Sequence, residues 1–285
     1  MRRSSKLLCA LALACGAAPA AAQEAEPDTR PLIGVMTTIP IFWGEPSGNP
    51  DDFLGLESLA HWARPELERR YALRALDMLP TGSLSVYDGL LLAQPRGLTP
   101  EENVALDSYL HAGGKVLLFV DPMMTGESAF GIGDRRRPQD VALMSPILAR
   151  WGLSLRFDDT QDEGVTLREF AGQPVPVNLP GIFERTGEGV GICTTEAAGL
   201  IARCLVGKGE VLAVADAAIL DLHGPHDGAR EALAALAARI LPENGDGAGR
   251  AGEIPIEIGE SPAIPSISAP LLADGMADPA RLETE

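Results

Sequence analysis

Residues 87–122, YDGLLLAQPRGLTPEENVALDSYLHAGGKVLLFVDP, determine the fold class of this chain. Two apolar runs of strand length, GLLLA and KVLLFV, flank a segment with the pattern of a helix. Thr99 and Glu102 form a capping box around Pro100, and Gly113-Gly114 ends the helix. Because parallel strands are joined by crossovers of a dozen or more residues, this order predicts a βαβ unit in a parallel sheet.

The remainder of the segment 31–241 continues the same alternation, so we predict a single α/β domain over these residues. Further strands are predicted at 32–38, 71–76, 153–157, 191–194, 200–206 and 210–215. Further helices are predicted at 54–70, 145–151 and 228–241, the last of them capped by Asp227. Residues 158–190 are predicted to be irregular, with turns at their glycines.

The amino-terminal segment has the pattern of a secretory signal peptide. Three basic residues precede a short apolar run at 7–14, and small residues follow at 20–22. This order of charge, apolar run and cleavage site predicts a signal peptide over residues 1–22 and a periplasmic mature protein. A lipoprotein signal with Cys15 as the lipidated residue is disfavoured, because the leucine usual three positions earlier is missing.

The charge and the hydrophobic content of the chain limit the kinds of partner that it can bind. The chain has 46% hydrophobic residues, enough for a sizeable core, and a formal net charge of −17. Removing the three basic residues of segment 1–22 would take that charge to −20. Such an acidic protein repels nucleic acid, so we expect no nucleic-acid partner. No later stretch approaches the length of a membrane helix, so we also expect no membrane anchor of its own.

The carboxyl-terminal segment 242–285 differs in composition from the domain. It is rich in Pro, Gly, Ala and acidic residues and has no sustained hydrophobic period. We predict that it is a disordered acidic tail, because it has too little apolar surface to offset the entropy of folding.

Three stretches resemble the GldG-type auxiliary domain of ABC transport systems, which is shared with gliding-motility and intraflagellar-transport proteins. They are residues 87–122, the closing VGKGEVLAVADAAIL at 206–220, and the Thr-Thr-x-Pro loop at 37–40. The resemblance implies a flavodoxin-like fold close to class I glutamine amidotransferases, with a mainly parallel sheet and helices on both faces. It also implies a non-catalytic extracytoplasmic accessory role, ABC transporter membrane subunits as partners, and no cofactor.

Two carboxylates are the leading candidates for a functional site. Asp121 and Asp216 each follow a predicted strand, and ligands of open α/β sheets bind at the carboxyl ends of strands. The pair would bind a cation or a sugar, or serve a periplasmic hydrolase, or simply cap loops. No Cys follows the strand before Asp121, and no Ser occurs until Ser128. The nucleophile of an amidotransferase is therefore missing, and a non-catalytic role is favoured while the enzyme alternative stays open.

Two further groups are candidates for binding an anionic ligand. Thr37 and Thr38 follow the first strand, where flavodoxin-type loops contact phosphate, although the glycine pattern of a nucleotide loop is absent. Arg135 and Arg136 belong to a run of three arginines in an acidic chain. These arginines either meet an anionic partner or are solvated loop charges.

The remaining candidates are two histidines for a metal site and two cysteines for a disulfide. His223 and His226 are weak candidates for a metal site, because the Gly-Pro between them removes the fixed spacing of a helix, and we expect no metal. Cys193 and Cys204 are the cysteines left after segment 1–22. An even number of cysteines in an oxidising compartment favours a disulfide over two buried free thiols.

Overall fold

A computed structural model of the chain describes residues 28–45, 61–80 and 82–244. The predicted signal peptide 1–22, the tail beyond residue 244 and the first part of the predicted helix 54–70 lie outside the described residues.

Eleven strands and four α-helices are the main elements of the described part of the chain, with short 3-10 turns at Ala197–Gly199 and Ala218–Leu220. The strands are β1 Leu32–Thr37, β2 Ala72–Ala75, β3 Gly89–Ala93, β4 Lys115–Phe119, β5 Leu153–Arg156, β6 Thr166–Phe170, β7 Gln173–Val177, β8 Ile182–Arg185, β9 Ile192–Glu196, β10 Ile201–Val206 and β11 Gly209–Val214. The helices are α1 Ala63–Glu68, α2 Pro100–His111, α3 Ser145–Trp151 and α4 Ala229–Ile240. Within the described residues no helix is both long enough and apolar enough to cross a membrane.

A mainly parallel seven-stranded sheet forms the centre of the fold. Its strand order is β2-β1-β3-β4-β11-β10-β9. The first five strands in this order are parallel, whereas β10 is antiparallel to both of its neighbours. The predicted parallel α/β sheet is confirmed. Because β1, β3, β4 and β11 run in the same direction, their carboxyl ends meet at one edge of the sheet.

Two apolar layers enclose this sheet. Leu91 and Phe119 lie in the layer that α1 and α4 cover, whereas Leu90 and Leu92 lie in the layer that α2 and α3 cover. This alternation follows from the period of two along a strand, which sends successive side chains to opposite faces. Strands that are buried on both faces therefore have continuous apolar runs, as β3 and β4 do.

The predicted capping box of α2 is confirmed. The Glu102 amide donates to Thr99 Oγ1 at 3.2 Å, and the Thr99 amide donates to Glu102 Oε2 at 2.8 Å. Gly113 follows the helix with a φ of +115°, a conformation that L side chains rarely adopt. These local signals start and stop the crossover helix between β3 and β4.

The prediction that residues 158–190 are irregular is wrong, because β6, β7 and β8 lie there. β6 and β7 form a hairpin through Ala171 and Gly172, whose φ angles of +52° and +80° are typical of a type I′ turn. β7 was not predicted because it contains Pro174 and Pro176, and proline within a run argues against a strand. The two prolines lie opposite Glu169 and Leu167, at the alternate positions that make no ladder hydrogen bonds, so the strand tolerates them.

The predicted Asp227 cap of the last helix is also wrong. The N-cap of α4 is Gly228, with a φ of +80° and no side-chain hydrogen bond. The glycine takes the left-handed conformation that turns the chain into the helix, so no capping carboxylate is used. The predicted apolar face is correct, because Leu233, Leu236 and Ile240 are buried.

Candidate functional site

Asp121 and Asp216 follow the neighbouring strands β4 and β11, at the edge where the carboxyl ends of the parallel strands meet. Each is 1% exposed, although the sequence immediately around them forms loops. Aspartate is rarely buried to this degree without partners, so the contacts of the two carboxylates decide what the site can do.

The carboxylate of Asp121 joins two loops. Its Oδ1 accepts the Met123 amide at 2.8 Å, and its Oδ2 accepts the Ala217 amide at 3.1 Å. The first bond closes the turn that follows β4, as Asp side chains commonly do. The second bond ties that turn to the one that follows β11.

The carboxylate of Asp216 is used in the same way. Its Oδ1 accepts the Ala218 amide at 2.7 Å, and its Oδ2 accepts the Asn178 amide at 3.0 Å. Asn178 follows β7, so this bond holds the β6–β7 hairpin against the end of the central sheet. Each of the four carboxylate oxygens of the pair therefore accepts a backbone N–H.

The two carboxylates also affect each other's ionisation. Burial raises the pKa of Asp121 from 3.8 to about 6, against the lowering effect of its two backbone hydrogen bonds. Burial, and then the charge of Asp121, raise the pKa of Asp216 well above its usual range. The pair therefore retains a proton at a pH where two exposed aspartates would both be ionised.

Gln94 is a central residue of this edge that sequence reasoning missed. It follows β3, is fully buried and has a φ of +44°. Its Nε2 donates to the carbonyls of Asp121 (3.0 Å) and Gln139 (2.9 Å), and its Oε1 accepts the Asp121 amide at 2.8 Å. Its position directly after a wholly apolar strand was the available signal, since a polar residue there must find buried partners.

The candidate residues Thr37 and Thr38 lie at the end of β1 at the same edge. Thr37 Oγ1 donates to the Ile39 carbonyl at 2.9 Å. Thr38 Oγ1 donates to the Gln94 carbonyl and accepts the Gln139 amide at 3.0 Å. Thr38, Gln94 and the two aspartates thus follow four consecutive strands of the sheet, and their side chains bind the backbone of neighbouring loops.

The arginine run lies in the long loop after β4. Arg136 pairs with Asp134 at 2.7 Å and lies over the ring of Phe130, 4.1 Å from its centroid. The Arg136 guanidinium lowers the pKa of Asp134 to about 2. Arg137 pairs with Asp140 at 2.6 Å, whereas Arg135 is exposed and has no ion pair within the described residues. Two of the three arginines are therefore paired with aspartates of the same loop.

His223 and His226 lie around one carboxylate. The His223 amide donates to Asp221 Oδ1 at 2.8 Å, and His226 Nε2 lies 3.3 Å from Asp221 Oδ2. In the described ranges no group of three or more His, Cys, Asp or Glu residues is placed to hold a metal ion.

The predicted disulfide is confirmed. Cys193 of β9 lies directly opposite Cys204 of β10, and the two residues are bonded. The bridge therefore joins the outermost strand of the sheet to its neighbour, and the two cysteines have a sequence separation of 11.

Comparisons with solved structures gave several distant similarities. The exo-β-1,4-mannosidase Op5Man5 from Opitutaceae bacterium strain TAV5 has 14% identity and a TM-score of 0.45 over 75% of this chain and 36% of that one. The β-galactosidase from Rahnella sp. R3 has 11% identity and a TM-score of 0.41 over 75% and 32%. This chain thus spans about a third of each glycosidase. The mmIFT52 N-terminal domain has 12% identity and a TM-score of 0.45 over 73% of this chain and 96% of that one.

Comparison with curated protein sequences found no match. A sequence model of one family, described as ABC-type uncharacterized transport system, matches residues 30–176. The match runs from just before β1 into β7, and so includes the βαβ unit around α2. The resemblance inferred from the sequence is therefore confirmed, and the chain belongs to this family of ABC-type transport auxiliary proteins.

Proposed function

We propose that this chain is a non-catalytic, extracytoplasmic accessory or binding component of an ABC-type transport system. The observation that carries the proposal is the family match over residues 30–176, which relates the chain to auxiliary proteins of such systems. Its partners would be the membrane subunits of the transporter.

The contacts at the strand ends support a non-catalytic role. All four oxygens of Asp121 and Asp216 accept backbone N–H groups, so the carboxylates hold loops in place. Ser128, the first serine in the sequence after β4, donates to Glu45 Oε1 at 2.6 Å, and Glu45 Oε2 accepts the Ala129 amide at 2.8 Å. This carboxylate therefore also holds a loop in place.

The proposal also includes the location of the protein and the type of its fold. Residues 1–22 would direct the chain to the periplasm, as their charge pattern and apolar run indicate. The fold would be flavodoxin-like. The order β2-β1-β3-β4-β11 supports this, because it repeats the 2-1-3-4-5 arrangement of that fold, although no helix is described between β2 and β3.

Affinity capture from native membranes tests the proposal. A carboxyl-terminally tagged full chain, solubilised with mild detergent, should bring down a permease or ATPase subunit identified by mass spectrometry. A tagged, unrelated periplasmic protein of similar charge is the control. Capture of no transporter subunit above that control would refute the assigned role.

A periplasmic hydrolase or sugar-binding enzyme remains the second candidate, because burial raises the pKa of Asp121 to about 6. A carboxyl group with a raised pKa suits general acid catalysis near neutral pH. Hydrolysis of a panel of aryl glycosides and esters by the natural chain, and by Asp121→Asn and Asp216→Asn, tests this candidate. Activity that both substitutions abolish would support it, and activity that they leave unchanged would eliminate it.

A further inference from the structure

β9 is an edge strand, and its backbone orientation follows from the ladder beside it. The Ala215 amide donates to the Leu200 carbonyl, so residue 200 and every second residue after it direct their backbone groups towards β11. The intervening residues of β10, among them Ile201 and Arg203, direct theirs towards β9.

This alternation leaves specific groups of β9 without ladder partners. Cys193 and Thr195 lie opposite Cys204 and Ala202, which bond to β11, so the N–H and C=O groups of Cys193 and Thr195 point away from β10. In the described part of the chain no further strand is hydrogen-bonded to this edge of the sheet. Thr195 is exposed and Cys193 is 7% exposed, so β9 presents the backbone donor and acceptor of Thr195, and to a smaller extent those of Cys193, to an incoming strand.

A groove runs beside this edge. It has a volume of about 410 Å³, and Cys193 forms part of its wall together with four glycines. These are Gly152, Gly187, Gly189 and Gly191. A side chain at Gly152, Gly189 or Gly191 would meet neighbouring backbone of the groove wall, whereas Gly187 opens onto free space, so the wall is closely packed backbone with room beside Gly187.

Two apolar side chains are exposed on the outer face of this edge, beside Thr194 and Glu196. Ile192 is 75% exposed and lies directly opposite Leu205 of β10, which is 52% exposed. Natural edge strands are usually protected by a lysine, a proline or a bulge, and β9, with the sequence ICTTE, has no lysine or proline. The Cys193–Cys204 bridge meanwhile holds this unprotected strand in the sheet.

Charge distinguishes between the segments that could dock there. Glu188 lines the groove and Glu196 ends β9, and both are exposed, whereas Arg185 is the one basic residue of the groove lining. Arg203, opposite Thr194 of β9, is paired with Glu210. The whole chain has a formal net charge of −17, so a second copy would be repelled at long range. An extended segment with basic residues would be attracted.

We propose that the free edge of β9 binds an extended apolar segment, flanked by basic residues, of a partner protein, which adds to the sheet as an eighth strand. Main-chain hydrogen bonds to Cys193 and Thr195 would give affinity, and contacts with Ile192 and Leu205 would select apolar side chains. The inference rests on the proposed accessory function, since it names the surface through which a transporter subunit would be bound.

A labelled heptapeptide, Lys-Val-Thr-Val-Thr-Val-Lys, serves as the probe, with Glu-Val-Thr-Val-Thr-Val-Glu as its charge-reversed control. Fluorescence anisotropy with the full chain should show binding of the basic peptide only. Its addition should slow hydrogen exchange of the Cys193 and Thr195 amides. Equal affinity for both peptides, no binding of either, or exchange at these amides that is already slow in the free chain would each overturn the inference.

Two variants test the geometry. Thr195→Pro removes an N–H that points away from β10, so the ladder stays intact while Kd for the basic peptide should rise about ten-fold, the loss expected for one hydrogen bond. Ile192→Lys should weaken binding similarly. Leu167→Lys, at a 58% exposed position of β6, is the matched control and should bind like the natural chain. Equal binding by all four chains would eliminate the β9 edge as the site.

Three further outcomes separate a failure of this inference from a failure of the proposed function. Transporter subunits captured equally by the natural chain and by Thr195→Pro would refute the docking edge and leave the proposed function standing. Capture of none by the natural chain, with peptide binding intact, would refute the function alone. A dimer in sedimentation velocity that Thr195→Pro abolishes would assign the edge to a second copy and overturn the inference.

Discussion

Replacing Asp121 by Asn should remove part of the pH dependence of stability between about pH 4 and 6. Burial raises the pKa of Asp121 from 3.8 to about 6 in the folded chain. Between these two values the folded chain holds a proton that the unfolded chain has released. The free energy of unfolding of the natural chain therefore falls as the pH rises through this window. Asparagine has no such proton, so in the variant this part of the dependence of the free energy of unfolding on pH is lost.

The size of the effect follows from the pKa shift. A shift of about two units corresponds to about 3 kcal/mol, at 1.36 kcal/mol per unit. The substitution also turns an amide NH₂ towards either the Met123 or the Ala217 N–H, and a buried donor left unsatisfied costs about 1–3 kcal/mol at every pH. The variant should thus be clearly less stable at pH 4 and approach or exceed the natural chain at pH 7.

Urea unfolding is followed by tryptophan fluorescence at micromolar protein concentration from pH 4 to 7. It gives the free energy of unfolding against pH for the natural chain and for Asp121→Asn. The control is Asp158→Asn, at an exposed aspartate whose pKa is lowered by hydrogen bonds from Thr160. The contribution of Asp158 to stability is present above its usual pKa and is lost only below it. Between pH 4 and 7 the free energy of unfolding of this control should therefore depend on pH as that of the natural chain does. Parallel curves for the natural chain and Asp121→Asn would refute the assignment of a raised pKa to Asp121.

Three other predictions concern separate parts of the molecule. Glu102→Gln should lower the free energy of unfolding by about 2 kcal/mol in a urea titration, because the new amide NH₂ cannot accept a hydrogen bond from the Leu79 or Thr99 N–H that it faces and the partly exposed Arg96 loses its charged partner; a change below 0.5 kcal/mol would contradict this. Reducing the Cys193–Cys204 bridge should lower the midpoint of urea unfolding by an amount equivalent to about 3 kcal/mol, as expected for so short a loop, whereas the same reductant should not affect a Cys193→Ala, Cys204→Ala double variant. Intact-mass measurement of chain recovered from the periplasm should give a first residue directly after Ala22, and a mass that includes residues 1–22 or a lipid would refute the signal-peptide prediction.

The central βαβ unit was predictable because its signals are local. Thr99, Glu102 and Gly113 fix the start and end of α2 within fourteen or so positions, and no distant contact is needed to recognise them. The β6–β7 hairpin was not, because Pro174 and Pro176 argue against a strand until the register is known. Only the pairing shows that both prolines occupy positions without ladder hydrogen bonds.

The strand-end site was predictable in position but not in detail. Asp121 and Asp216 follow apolar strands, so their place at the sheet edge could be inferred. That β4 and β11 are neighbours depends on the sheet order, which the sequence does not state. Gln94 was missed because its role depends on the backbone of Asp121 and Gln139, two loops that come together only in the folded chain.

The position of β11 has a consequence for how the molecule is made. This strand lies between β4 and β10 in the sheet, yet the whole segment 120–208 separates it from β4 in the chain. Closing so long a loop is entropically unfavourable and slow. During synthesis, the edge of β4 that later pairs with β11 therefore stays unpaired until residue 214 has been made. A chaperone that covers the β4 edge during that interval would raise the yield of folded protein and would not bind the folded chain.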